Sequence, residues 1–184
     1  MKSILMSIQS KWLAKILNGE KTVELRKRFP KDYRGWVYLY CTKAIRHGCL
    51  VNMGYNEPSK KYIFENVAKR SFVDLNNDFT TPMLNGKVVA RYWCENVEKI
   101  DGNVGHQKIY VNACIGDEEA CKYANGKNLY AIHISKLKIF DKPKELNEFC
   151  KEEYAVMPNG IFPSNQPLTK APQSWQYIYI EEDK

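Results

Sequence analysis

The pattern of apolar and polar positions starts with a short apolar stretch, residues 3–8, which predicts a buried strand. Ser10 then gives a helix-start signal, and Trp12, Leu13, Ile16 and Leu17 recur at helical spacing. Lys11 and Lys15 fall on the exposed face of that helix. Asn18-Gly19 stops it, because glycine tolerates the left-handed conformation on which helices commonly end. From here the period changes to two. Thr22, Glu24, Arg26 and Arg28 alternate with Val23, Leu25, Lys27 and Phe29, which predicts a half-buried strand with one polar face. Pro30 ends it, and Tyr33-Arg34-Gly35 leads into the β-branched and aromatic run 36–41, which reads as a central strand.

Residues 43–86 hold Gly48, Gly54, Pro58 and Pro82 and show no sustained period, apart from a turn or two of helix expected around 62–69. This stretch reads as an insertion between strands. Gly86 supplies the turn into a core strand over 87–94. A short helix with an acidic start is expected over 117–123, closed by Asn125-Gly126. Residues 129–140 alternate as a long strand that Lys142-Pro143 should break. A turn of helix is expected over 145–149, loop over 159–172, and a final strand over 175–180.

Several strands with a few short helices indicate an α+β domain, with a small mixed β-barrel as the expected architecture. The 184 residues fit one domain, 1–184, with the insertion at about 43–86. The apolar run near the start is too short for a signal peptide or a membrane span, so a cytoplasmic protein without membrane attachment is expected. Six cysteines show no CxxC pair, and reduced thiols are the expectation.

Charge is distributed unevenly. Residues 1–46 carry seven Lys and four Arg against Glu20, Glu24 and Asp32, a net +8, while the whole chain is +7. A positive excess confined to the first quarter favours a polyanionic partner, although a solvated basic face is an equal reading from composition alone.

Gly19, Lys21, Glu24 and Arg26 match the pattern G-x-K-x-x-E-x-R directly after the first helix. In this the chain resembles the ASCH domain family, small β-barrels related to the PUA fold. Segments 130–134 and 172–175 are similar to those of its bacterial and phage-encoded members. The resemblance implies a PUA-like barrel flanked by short helices, a ligand cleft beside it, and a role in binding RNA or a nucleotide. No cofactor is implied, and a protein partner is left open.

The residues allow a physical reading of their own. Glu24 and Arg26 share one face of a strand with Cα atoms roughly 6.5 Å apart, and Lys21 lies at the helix exit beside them. An Arg fork and a Lys ammonium donate hydrogen bonds while a carboxylate accepts, which is the complement a nucleobase edge requires. The alternative is a surface ion pair worth ~0–1 kcal/mol with a solvated Lys21. Lys21, Glu24, Arg26 and the aromatic Trp175 are therefore the candidate ligand-binding residues, with Lys11, Lys15 and Arg28 placed for a nucleic-acid backbone. Most other aromatics are expected in the core.

A catalytic alternative also follows from the resemblance, since some small ASCH-like proteins are amidohydrolases that deacylate N4-acetylcytidine with a lysine at the position of Lys21. Those hydrolases are similar in motif but carry Thr where this chain has Glu24. In that alternative, which extends to a ribonuclease, Lys21 and Glu24 are the catalytic residues. Neither Cys41, His47 and Cys49 nor Cys114 and Cys121 has the spacing of a structural zinc site, so no metal is expected. His133 reads as a sheet residue. There is no Walker loop and no Ser/His/Asp signature.

Overall fold

The structure is a computed structural model that describes residues 2–69, 71, 82–151, 154–157, 160–163 and 166–180. The first strand, β1 (Ser3–Ile8), is buried at every position, as expected of an apolar run with elements packed on both faces. Helix α1 (Ser10–Leu17) follows and buries Leu13, Ala14, Ile16 and Leu17. Ser10 is its first residue but does not cap it. Its hydroxyl donates instead to the carbonyls of His47 and Gly48, at 3.1 and 2.9 Å.

Strands β2 (Val23–Arg26) and β3 (Gly35–Cys41) come next. Within residues 43–86 the chain forms a hairpin of β4 (Cys49–Asn56) and β5 (Lys61–Val67), so the helical turn expected around 62–69 is replaced by strand. A register shift between Asn52 and Tyr55 interrupts the alternation that would have revealed it. Residues 70 and 72–81 of this stretch lie outside the described residues.

Strand β6 (Val88–Ile100) runs six residues past the expected end, and β7 (Leu129–Lys144) continues through Pro143. Proline removes one donor, which costs little at the end of a long strand. Between them stand α2 (Gln107–Asn112), which the sequence pattern does not announce, and α3 (Asp117–Ala124), closed as expected by Asn125 in the left-handed conformation. The chain ends in β8 (Cys150–Lys151), β9 (Tyr154–Met157), β10 (Gly160–Pro163) and β11 (Trp175–Tyr179). Strand β10 lies within the stretch 159–172 where loop was expected, and it pairs with β9.

Seven strands form one mixed sheet in the order β2-β7-β6-β3-β1-β11-β8, in which β1 and β3 are parallel and the other pairs antiparallel. The α+β class is as expected, but the ladder is not closed into a barrel. Its edges are the four-residue β2 and the two-residue β8, and these do not pair with each other among the described residues.

Three apolar clusters hold the sheet. The largest joins α1 to the inward residues Ile4, Met6, Val37, Leu39, Tyr92 and Ile132. A second packs Val23 and Leu25 of β2 against Tyr110, Ala120 and Ala124 of α2 and α3. A third, around Leu5, Tyr38, Tyr40, Phe149 and Ile178, covers part of the opposite sheet face. Strand β2 is consequently buried on both sides, where the sequence suggested one. Among the described residues no helix is long and apolar enough to cross a membrane.

Candidate functional site

The site starts at the turn that ends α1. Gly19 takes φ 79°, and the N–H groups of Glu20 and Lys21 both return to the carbonyl of Lys15, at 2.9 and 3.0 Å. That folds Lys21 back under the helix. Its Nζ donates to the carbonyl of Ala113 at 2.8 Å, just beyond α2, and lies 3.4 Å from Glu24 Oε2. The N–H of Thr22 donates to the carbonyl of Asn112, so two neighbouring carbonyls at the end of α2 hold this turn.

Alternation along β2 sends Val23 and Leu25 to the α2–α3 side and Glu24 and Arg26 to the α1 side. Glu24 Oε1 lies 2.9 Å from Arg26 Nε, an electrostatic contact without the direction of a hydrogen bond. The guanidinium also donates through Nη2 to the carbonyl of Ser7 at 2.8 Å and through Nη1 to Ser174 Oγ at 3.3 Å. Lys21 is 5% exposed and Glu24 6%. The surface-pair alternative therefore fails. The carboxylate is held between two cations in the interior, where a buried charge requires such partners.

A cavity of about 370 Å³ opens beside this network, within the ~300–1,000 Å³ range of small-molecule sites. Lys21, Glu24 and Arg26 form one part of its wall, Trp12 and Tyr123 supply aromatic surface, and Gln9, Gln173 and Glu119 stand around it. The charges of Lys21 and Arg26 are matched by those of Glu24 and Glu119, so the lining is balanced rather than strongly cationic. Two lysines flank the aromatics. Lys11 Nζ lies 4.4 Å from the Trp12 ring centroid and Lys27 Nζ 5.0 Å from that of Tyr123. The Tyr123 hydroxyl has its pKa raised by burial first, with Arg26 lowering it and Glu24 raising it in turn.

The structure thus brings Lys21, Glu24 and Arg26 together at one cavity, with Lys11 outside its wall and over the ring of Trp12. Lys15 pairs with Glu20 at 3.3 Å and shares with Lys11 the groove between α1 and β5. Trp175 takes a different place: its indole donates to the carbonyl of Arg28 at 2.7 Å and its ring packs on Phe29 and Tyr177. It anchors the segment after β2, while Trp12 and Tyr123 line the cavity. Tyr123 carried no local signal, because its role depends on α3 folding over β2. His133 is a sheet residue, with Nε2 3.6 Å from Glu98.

The crystal structure of ASCH from Zymomonas mobilis superposes with a TM-score of 0.56 at 15% identity, covering 95% of this chain and 86% of that one. The chain has the fold of an ASCH domain. Two point mutants of the Zymomonas mobilis protein match similarly, each with a TM-score of 0.54 at 14% identity, covering 96% and 95% of this chain and 90% and 87% of theirs. Compared with protein-family models and with curated proteins, the sequence matches none. In this ASCH fold the G-x-K-x-x-E-x-R stretch is the turn and edge strand that wall the cavity.

Proposed function

We propose that the cavity binds the base of a nucleotide or of single-stranded RNA, with the sugar-phosphate chain leaving past Lys11 and Lys27. The observation that carries this reading is the buried Lys21–Glu24–Arg26 network set beside Trp12 and Tyr123 in one cavity. A balanced lining suits an uncharged base, which needs donors, an acceptor and an aromatic surface rather than excess positive charge. The exposed lysines over the two rings suit phosphates outside it. On this reading residues 1–184 act as one binding domain, and the hairpin region is an insertion in it.

Titration of a labelled RNA trinucleotide at several salt concentrations tests the proposal. Binding should weaken with salt, and Lys11→Glu together with Lys27→Glu should weaken it further and flatten the salt dependence. Salt-independent binding, or an unchanged double variant, would exclude this path for the phosphates.

A hydrolytic role is the second reading, favoured by the placement of Lys21 and Glu24 in the same cavity wall beside the Arg26 guanidinium. Binding accounts better for the geometry. Both Glu24 oxygens already face cations, and Lys21 Nζ is committed to the Ala113 carbonyl and Glu24. Incubation with N4-acetylcytidine and with RNA, compared against a Glu24→Gln variant, separates the two. Product that disappears in the variant would establish hydrolysis.

A further inference from the structure

The sheet face turned away from α1 carries a second group of aromatic and cationic side chains. Val37, Leu39, Tyr92 and Cys94 point into the cluster built on α1, so by alternation Trp36, Tyr38, Arg91 and Trp93 point to the opposite side. They stand directly across from one another: Trp36 faces Trp93, Tyr38 faces Arg91, and Lys138 of β7 faces Arg91 from the other strand. The two indoles meet edge to face, with centroids 5.4 Å apart, and both remain partly exposed. The Arg91 guanidinium lies 4.4 Å from the Trp36 centroid and donates through Nη1 to Tyr38 Oη at 2.9 Å, while its buried Nε has no partner.

A bulge completes the group. Between the pairs Arg91–Lys138 and Trp93–Ser135 strand β7 has one residue more than β6, and Lys136 takes φ 45° there. Such an extra residue re-aims a side chain. Lys136 Nζ is brought to 6.0 Å from the Trp93 centroid, and Ser135 Oγ donates to the Trp93 carbonyl at 2.9 Å. Arg91, Lys136 and Lys138 form no ion pair among the described residues, and Lys136 and Lys138 are exposed. The acidic residues on the same two strands beyond the group are Glu95, Glu98 and Asp141, of which Glu98 faces His133.

We propose that this face, formed by Trp36, Trp93, Arg91, Lys136 and Lys138, is a second contact surface for a single-stranded nucleic acid. Three cations without carboxylate partners complement a phosphate chain, and two part-exposed indoles offer the sequence-tolerant stacking surface that unpaired bases use. The face lies across the sheet from α1 and rests on its own observations, independent of the cavity.

The test uses the full chain, a labelled 15-nucleotide oligouridine and free uridine monophosphate, with binding measured over a range of salt. The double variant Lys136→Glu, Lys138→Glu changes only exposed, unpaired side chains and leaves the core intact. It should bind the oligomer about tenfold more weakly, with a salt slope smaller by about two, while its affinity for the mononucleotide equals that of the unaltered protein. Unchanged oligomer affinity and slope would overturn the proposal, as would failure of the unaltered protein to bind the oligomer at low salt. The mononucleotide measurement reports on the cavity separately.

Discussion

Lys21, Glu24 and Arg26 illustrate how far local pattern reaches at the residue scale. A period of two places Glu24 and Arg26 on one face whatever the tertiary structure, and that part was legible. Their burial was not, because it depends on α2 and α3 covering β2 from positions far along the chain. The same reason explains the cavity aromatics: Trp175 was the expected one, yet Tyr123 lies on α3 and enters only through tertiary packing. Replacing Lys21 by Met leaves the Ala113 carbonyl and one oxygen of Glu24 without a partner. We predict a loss of about 3 kcal/mol of stability, the scale for breaking a buried ion pair, measured by urea denaturation. Stability equal to the unaltered protein would mean that the network contributes nothing net.

Helix ends set by a local left-handed turn were read correctly, whereas the break expected at Lys142-Pro143 and the elements defined by distant contacts were not. Asn18-Gly19 ends α1 and Asn125-Gly126 ends α3 because a residue near each carries the left-handed turn. The β4–β5 hairpin escaped because its bulge breaks the alternation and because α1 supplies its anchors. Asn18 donates through Nδ2 to the Phe64 carbonyl and accepts from the Phe64 N–H through Oδ1, both at 2.9 Å. Ser10 holds the start of the hairpin at His47 and Gly48. Asn18→Ala removes both bonds to Phe64. It should cost about 1–2 kcal/mol and accelerate amide exchange along β5 more than along β1. Uniform acceleration across the two strands would show that the hairpin does not depend on this anchor.

For the whole molecule, the positive excess of the first quarter divides once the chain folds. Lys21 and Arg26 go inside against Glu24, Lys15 pairs with Glu20, and Lys11, Lys27 and Arg28 stay exposed. Net charge alone suggested a polyanion, whereas the folded arrangement separates a balanced cavity from its basic surroundings.

Burial also sets the response to alkali. The thiols of Cys41 and Cys94 are pushed from 9.0 up to about 12, chiefly by desolvation. The folded state then holds protons that the unfolded chain has released. Stability from these groups is fully present below pH 9 and is lost as pH rises towards 12. The urea midpoint should hold between pH 8 and 9 and fall at pH 10 and 11. A midpoint that holds through pH 11 would contradict this.

The central claim is that the cavity beside Lys21, Glu24 and Arg26 takes a nucleobase. Calorimetric titration of free nucleosides into the unaltered protein and into Tyr123→Ala tests it most directly, because Tyr123 is part of the cavity wall yet 39% exposed, and its truncation leaves the core in place. We predict binding of at least one nucleoside with little dependence on salt, and a loss of about 1–3 kcal/mol in the variant from the missing stacking surface. Absence of binding for all four nucleosides, or equal affinity in the two proteins, would contradict the account.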